Sequence, residues 1–212
     1  MKIAVLGSGQ VGEVLADGFL KHGHDVVRAS RDPSKLAAWA QTSGARTATF
    51  ADAVADADVV VLAVKGAAAS EAVALAGVDA LAGKVVIDAT NPIAAAPPQD
   101  GVLKFFTNLD ESLMERLQAQ APAARFVKAF SCVGNAFMVN PTFAGGPPSM
   151  FICGNDADAK ATVRGILTQF GWDTEDMGTA VAARAIEPLC MLWCIPGMRG
   201  GGWNHAFKLI RA

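Results

Sequence analysis

Two groups of residues near the N-terminus have the types and spacing for chemistry on a phosphorylated ligand. The first is Gly7-Ser8-Gly9-Gln10-Val11-Gly12, a loop whose glycines and backbone N–H groups suit a dinucleotide pyrophosphate. The second is Ser30-Arg31 with Lys35, one hydroxyl and two cations. Sites that select NAD carry an acid at this point to accept hydrogen bonds from the adenosine ribose, but here the strand closes on Ala29-Ser30-Arg31. A carboxylate would repel a 2′-phosphate. Arg31 can meet it with a planar fork of donors, and Lys35 adds a second positive charge. Asp32, between Arg31 and Pro33, reads as a helix N-cap and not as the ribose acid. Together these residues predict NADP(H) as the bound nucleotide and hydride transfer as the chemistry. Solvated surface cations are the competing reading of Arg31 and Lys35.

The elements needed to hold these groups are written around them. Lys2-Ile3-Ala4-Val5-Leu6 is a short apolar run ending on glycine, the pattern of a buried parallel strand. Val11, Val14, Leu15, Phe19 and Leu20 follow at helical spacing, with Gly23 as the stop. Gly7 permits the tight turn, Gly9 the approach of backbone to pyrophosphate, and Gly12 the close packing of helix on strand. First-turn N–H groups and the helix dipole then favour the negative phosphates. Further strands are expected at 25–29, 46–50, 58–64, 84–89, 125–130, 150–153 and 172–176. Helices are expected at 33–42, 66–76, 110–120, 156–170 and 179–193, the last with a kink at Pro188. The alternation implies an α/β fold, a doubly wound Rossmann-type parallel sheet that C-terminal strands and helices extend. Residues 1–130 form the expected NADP-binding core, and residues 131–212 an extension packed on its acceptor side as one compact unit.

In such sheets ligands bind beyond the carboxyl ends of the strands, where strand order reverses. That rule nominates Val64 and Lys65, then Thr90-Asn91-Pro92, then Phe130 to Asn135. Asn91 is suited to the nicotinamide ribose or carboxamide and Pro92 to stiffening the loop beneath it, although Asn-Pro also makes a simple turn. Asn135 offers another amide near the nicotinamide.

The chain has no tyrosine, which excludes a tyrosine–lysine proton donor. His22 and His24 fall at the end of the sheet opposite the ligand edge, so His205 is the one candidate imidazole acid, and a weak one. Lys65 and Lys128 could donate protons but more commonly are surface charges or ion-pair partners. Carbonyl reduction needs a positioned acid. Hydride passage to another redox cofactor needs mainly two rings held face to face and shielded from water.

The remaining composition sets limits. A formal charge of −2 without any basic tract argues against a nucleic-acid partner. The first strand starts at residue 2, leaving no room for a signal peptide, and charges interrupt the apolar runs so that no stretch is expected to span a membrane. A cytoplasmic location is the default expectation. Cys132, Cys153, Cys190 and Cys194 read as buried free thiols, with no metal-ligand spacing. The apolar tail, with Trp193, Met198 and Trp203 around Pro196-Gly197 and Gly200-Gly201-Gly202, has three readings: core packing, a pliable loop approaching a flat ring, or a dimer seam.

The glycine loop, Ser30-Arg31 with Lys35, Ile87-Asp88-Ala89-Thr90-Asn91-Pro92 and Lys128-Ala129-Phe130 together resemble the coenzyme F420-dependent NADP oxidoreductases and their NADPH-dependent reductase relatives. The cytosolic NADPH domain of the STEAP metalloreductases is similar. The resemblance implies that Ser30, Arg31 and Lys35 grip the 2′-phosphate and that Ser8 to Val11 line the pyrophosphate. It also implies that Val64, Ala68, Thr90 and Asn135 lie along the rest of the cofactor. The implied reaction is hydride transfer between NADP(H) and a small-molecule redox acceptor, coenzyme F420 or a flavin, and the implied assembly is a homodimer. The chain departs from the family at Ser131-Cys132-Val133-Gly134-Asn135 and in the Trp-rich tail, the positions that face the acceptor. Two other functions stay open: reduction of a small imine, ketone or ferric complex, and a non-catalytic NADPH-sensing or docking module.

Overall fold

The computed structural model describes residues 1–212. Strands β1 (Lys2–Leu6), β2 (Asp25–Ala29), β3 (Arg46–Ala48), β4 (Val59–Leu62), β5 (Val85–Asp88) and β6 (Arg125–Lys128) pair in parallel. Strand β7 (Ser149–Gly154) runs antiparallel to β6, and β8 (Asp173–Asp176) is parallel to β7. They form one sheet in the order β3-β2-β1-β4-β5-β6-β7-β8. The order reverses between β1 and β4, which puts the glycine loop after β1 beside Ala63 and Val64 after β4.

The sheet is covered on both faces, which explains why its central strands β1, β4 and β5 are nearly continuously apolar instead of alternating. From β1, Ile3 and Val5 enter the layer that α1 (Gln10–Lys21) covers, while Ala4 and Leu6 enter the opposite layer. The first layer is completed by α2 (Ala37–Ser43) and α6 (Ala157–Gln169), with Phe19 and Phe170 rings 4.9 Å apart. The second is built by α3 (Phe50–Ala55), α4 (Ala69–Ala76) and α5 (Leu113–Gln120). The expected strand at 46–50 ends at Ala48, because the Thr49 side chain caps α3 and Phe50 turns into its core. Helix α5 opens with a capping box between Ser112 and Glu115.

Arg184 forks onto Glu115, with nitrogen–oxygen distances of 2.7 to 3.1 Å. That bond, reinforced by the Ser112 N–H, outweighs burial and holds the Glu115 carboxyl down at about 2 against an ordinary 4.5. A carboxylate depressed in the folded state stabilises above its unfolded pKa and loses that contribution as pH falls through the folded one. The melting temperature of Glu115→Gln is therefore expected to lie below wild type at pH 7. The gap should close between pH 4.5 and about 2, as thermal denaturation across that range will test.

The C-terminal helix departs from expectation. It runs as a tight turn Ala180–Ala182, then α7 (Ala183–Ile186) and α8 (Pro188–Met198), five residues beyond the predicted end at Trp193. Pro188 stands in the first turn of α8, where a missing N–H costs nothing, and Pro196 lies inside near its end. The expectation that no stretch could span a membrane is also corrected. Ala180–Met198 is long and apolar enough to do so by length and composition, with a mean hydropathy of 1.2. In the fold this segment packs on its own sheet through Ala180, Ala183 and Ile186, and its Glu187 is buried in an ion pair.

Candidate functional site

The glycine loop is shaped by contacts that only glycine tolerates. Gly7 has φ +155°, and a Cβ there would lie 2.2 Å from the Ala63 carbonyl oxygen. A Cβ on Gly12 would lie 2.5 Å from the Gly7 oxygen, so these two glycines let β1, α1 and β4 meet. Gly9 is different, since a Cβ there would meet nothing within 4 Å. It borders the open side of the loop, with Ser8 and Gln10 exposed beside it. Gly9 also caps α1 without any side-chain bond, so the first-turn N–H groups are left to a ligand. This cradle fits a pyrophosphate.

At the adjacent strand end, Ser30 is buried and accepts a bond from the Asp32 N–H, while Arg31 and Lys35 are exposed. Asp32 caps the following turn by accepting from the Ser34 N–H, the role its place before Pro33 predicts. Both Glu71 carboxylate oxygens on α4 lie 3.1 Å from Arg31 Nη1. Glu71 thus competes with any phosphate for that guanidinium. An exposed pair of this kind is worth less than about 1 kcal/mol. Glu71→Gln is therefore expected to tighten NADPH about two- to five-fold and leave NADH unchanged, as titration of both nucleotides will test.

The nicotinamide end of the predicted site rests on a charge cluster that the sequence did not reveal. Asp88 and Lys128 are register partners at the last step of β5 and β6, and both are fully buried. Lys128 Nζ lies 2.7 Å from Asp88 Oδ2 and 2.8 Å from Glu187 Oε1, and donates to the Thr90 carbonyl at 2.9 Å. Asp88 Oδ1 accepts from the Thr90 N–H and hydroxyl. Glu187 also accepts from the Leu113 and Met114 N–H groups at the start of α5. The available signal was a charge closing each of two adjacent apolar strands.

The Thr90 side chain is therefore committed inward. Asn91 donates to the Ser131 carbonyl at 3.0 Å, tying the loops after β5 and β6 together above buried Pro92. Asn91 Oδ1 and Ser131 Oγ are buried without a protein partner, two polar atoms at the place where the nicotinamide end was expected. Val64 and Ala68 lie half-buried after β4, and Asn135 half-buried in the turn after β6. Lys65 is exposed. At the far end of the sheet, His22 and His24 are half-buried and bonded to Asn140 and Gln169.

Beside Asn135 opens a cleft of about 410 Å³ lined by Phe137, Trp193, Trp203 and Asn204. The tail glycines seat these rings. A Cβ on Gly134 would lie 2.8 Å from the Trp193 ring, and one on Gly197 would lie 2.4 Å from Trp203. Trp193 and Trp203 have centroids 5.4 Å apart. The expected pliable loop at 198–203 is thus folded back, with Trp203 covering Gly197. His205 stacks on Trp193 at 4.9 Å, its Nε2 is 2.8 Å from the Trp193 carbonyl, and its own carbonyl accepts from Trp193 Nε1. The imidazole thus fastens the tail to α8. The four cysteines are free and buried, and burial pushes the Cys132 and Cys153 thiols up to about 12.

Residues 2–92 match the family model described as NADP oxidoreductase, coenzyme F420-dependent. The solved structure of a "putative F420-dependent NADP-reductase" from Arthrobacter sp. FB24 is 35% identical, covers 100% of both chains and superposes with a TM-score of 0.94. The metalloreductase STEAP3 of Rattus norvegicus is 32% identical over 99% of this chain, which spans 42% of that protein. A pyrroline-5-carboxylate reductase of Mycobacterium tuberculosis is 26% identical over 100% of this chain, which spans 63% of it.

Proposed function

The chain belongs to the family of coenzyme F420-dependent NADP oxidoreductases, and from that premise we propose that it passes hydride between NADP(H) and a flat, conjugated acceptor, coenzyme F420 or a flavin. The observation that carries the acceptor class is the cleft beside Asn135, whose walls are indole and phenyl rings. Such walls favour a planar ring system by stacking.

Bound NADPH supplies the hydride, from C4 of its nicotinamide. The loop Gly7 to Gly12 receives the pyrophosphate on backbone N–H groups, and Ser30, Arg31 and Lys35 hold the 2′-phosphate. Asn91, Pro92 and Asn135 orient the nicotinamide, on a loop that Thr90 anchors through its bonds to Asp88 and Lys128, with Val64 and Ala68 along the ribose between. Asn91 Oδ1, buried without a partner, is suited to accept from the carboxamide NH₂. Trp193, Trp203 and Phe137 exclude water and hold the acceptor ring against the nicotinamide. No covalent bond to the protein forms.

The test is NADPH oxidation followed against deazaflavin, flavin, ferric and carbonyl acceptors. Turnover with the deazaflavin or the flavin is expected, and turnover confined to carbonyl or imine compounds would reject the acceptor assignment. Trp203→Ala is expected to raise the acceptor KM about five- to twenty-fold while leaving that for NADPH unchanged, by loss of one stacking wall.

A second reading, reduction of a small cyclic imine, draws on the likeness to the pyrroline-5-carboxylate reductase. That chemistry needs a proton donor at the substrate. His205, the weak candidate, is engaged with the Trp193 carbonyl. An imine reductase working through His205 would show an altered pH–rate profile in His205→Gln, whereas hydride transfer to a flat acceptor predicts an unchanged one.

A further inference from the structure

Arg28 lies on β2 with only 1% of its surface exposed, on the side of the sheet where Val26 enters the α1 layer. Burial of a guanidinium at a strand position that otherwise calls for an apolar side chain is costly. Neighbouring charges do little to offset that cost. The group lies beneath the N-terminal end of α1, where the helix dipole disfavours a cation. Its one carboxylate partner, Glu13 at 3.0 Å, is 53% exposed. Charge pairing alone gives no reason for an arginine here.

Its hydrogen bonds do. Nε donates to the Gly7 carbonyl at 3.2 Å and Nη2 to the Gly9 carbonyl at 3.0 Å, while Nη1 takes Glu13. The Trp39 ring lies 5.2 Å from Cζ, and Trp39 is itself fixed by donating to Asp17 at 2.7 Å. The planar fork is thus clamped from one side by an indole and gives two of its three hydrogen bonds to the first two glycines of the loop. The Gly9 carbonyl also accepts from the Glu13 N–H at 3.0 Å, whereas glycine's loose φ and ψ would let the Gly7 peptide turn and present its carbonyl oxygen to the pyrophosphate.

We propose that Arg28 is a positioning residue for the nucleotide. It holds the Gly7 and Gly9 carbonyls on the protein side of the loop so that the N–H groups stay turned to the pyrophosphate. The inference rests on the nucleotide site proposed above and adds to it a residue on β2, two positions before Ser30. The strand that ends at the 2′-phosphate site thereby also sets the geometry of the pyrophosphate site.

The test compares the binding of NADP⁺, NAD⁺ and adenosine 2′-monophosphate to wild type, Arg28→Met and Arg28→Lys, below the melting temperature of each. The third ligand carries the 2′-phosphate but no pyrophosphate. Arg28→Met is expected to weaken NADP⁺ and NAD⁺ by the same factor, about tenfold, with adenosine 2′-monophosphate unchanged. Arg28→Lys keeps the charge but not the planar fork, so its two dinucleotide affinities should fall between those of wild type and Arg28→Met. If the methionine variant fails to fold, the lysine variant decides alone, against wild type.

Dinucleotide affinities unchanged in both variants would overturn the inference, and so would equal weakening of all three ligands. A lysine variant equal to wild type would overturn it too, since charge would then suffice without positioning. These results leave the nucleotide site standing. A wild-type protein that binds neither dinucleotide would instead overturn the site itself, and this inference with it.

Discussion

Arg31→Ala is expected to raise the KM for NADPH about 10- to 100-fold and to leave that for NADH within about two-fold. The range follows from the loss of charge-assisted hydrogen bonds to a phosphate, each worth about 1.5–3 kcal/mol, at 1.4 kcal/mol per factor of ten. Arg31 meets Glu71 in the ligand-free protein, but with side chains 63% and 55% exposed that pair is weak and water-screened. A dianionic phosphate, with Ser30 and Lys35 close by in the chain, outcompetes a single carboxylate for the guanidinium. Steady-state kinetics with both nucleotides decide the point. Equal effects on NADPH and NADH would remove the 2′-phosphate from Arg31. The low-affinity variant should also lose its response to Glu71→Gln, because the competition needs the guanidinium.

The second large effect is structural. Lys128→Met is expected to destabilise the protein by about 3–5 kcal/mol, because it strands Asp88 and Glu187 as buried carboxylates. Burial alone would push the Lys128 ammonium towards its neutral form. The two carboxylates overcome that, and its pKa lies above the ordinary 10.5. A group whose folded pKa is raised stabilises fully below the unfolded value and loses that contribution as pH rises through the folded one. The Lys128 contribution should therefore be lost only in strong alkali, while on the acid side the gap should narrow as the stranded carboxylates, raised by burial, take up protons in the variant. Denaturant unfolding at acid, neutral and alkaline pH measures both. Lys128→Met combined with Glu187→Leu should recover part of the loss, since one of the stranded charges is then gone. A single variant as stable as wild type would show that the cluster contributes nothing. Because Lys128 also holds the Thr90 carbonyl, the same substitution is expected to weaken cofactor binding in whatever fraction stays folded.

The alternation of strands and helices, and with it the doubly wound sheet, was legible from residue patterns, as was the place of the glycine loop between β1 and α1. β4 and β5 announce themselves as unbroken apolar runs, which only a doubly covered sheet buries. Other features were not. The antiparallel step at β7 leaves no trace, because an apolar strand of six residues reads the same in either direction. The membrane-length stretch Ala180–Met198 was hidden by Arg184 and Glu187, charges that break a run on paper yet are absorbed by Glu115 and Lys128 in the fold. The Gly200-Gly201-Gly202 segment reads as loose chain, although Trp203 uses Gly197 as a flat seat.

The glycine loop and the hydroxyl and cations of Ser30, Arg31 and Lys35 could be picked out without coordinates for one reason. Each is a contiguous segment with its own local signals: three glycines at fixed spacing between a strand and a helix, and an aspartate N-cap at Asp32 just before proline. Arg28 under the loop, the Asp88–Lys128–Glu187 cluster and the aromatic cleft beside Asn135 were invisible until the chain was folded. Their partners come from segments far apart in sequence. Whether a buried charge there is a defect or a device depends on which atoms close packing brings within hydrogen-bonding distance, and no local periodicity encodes that.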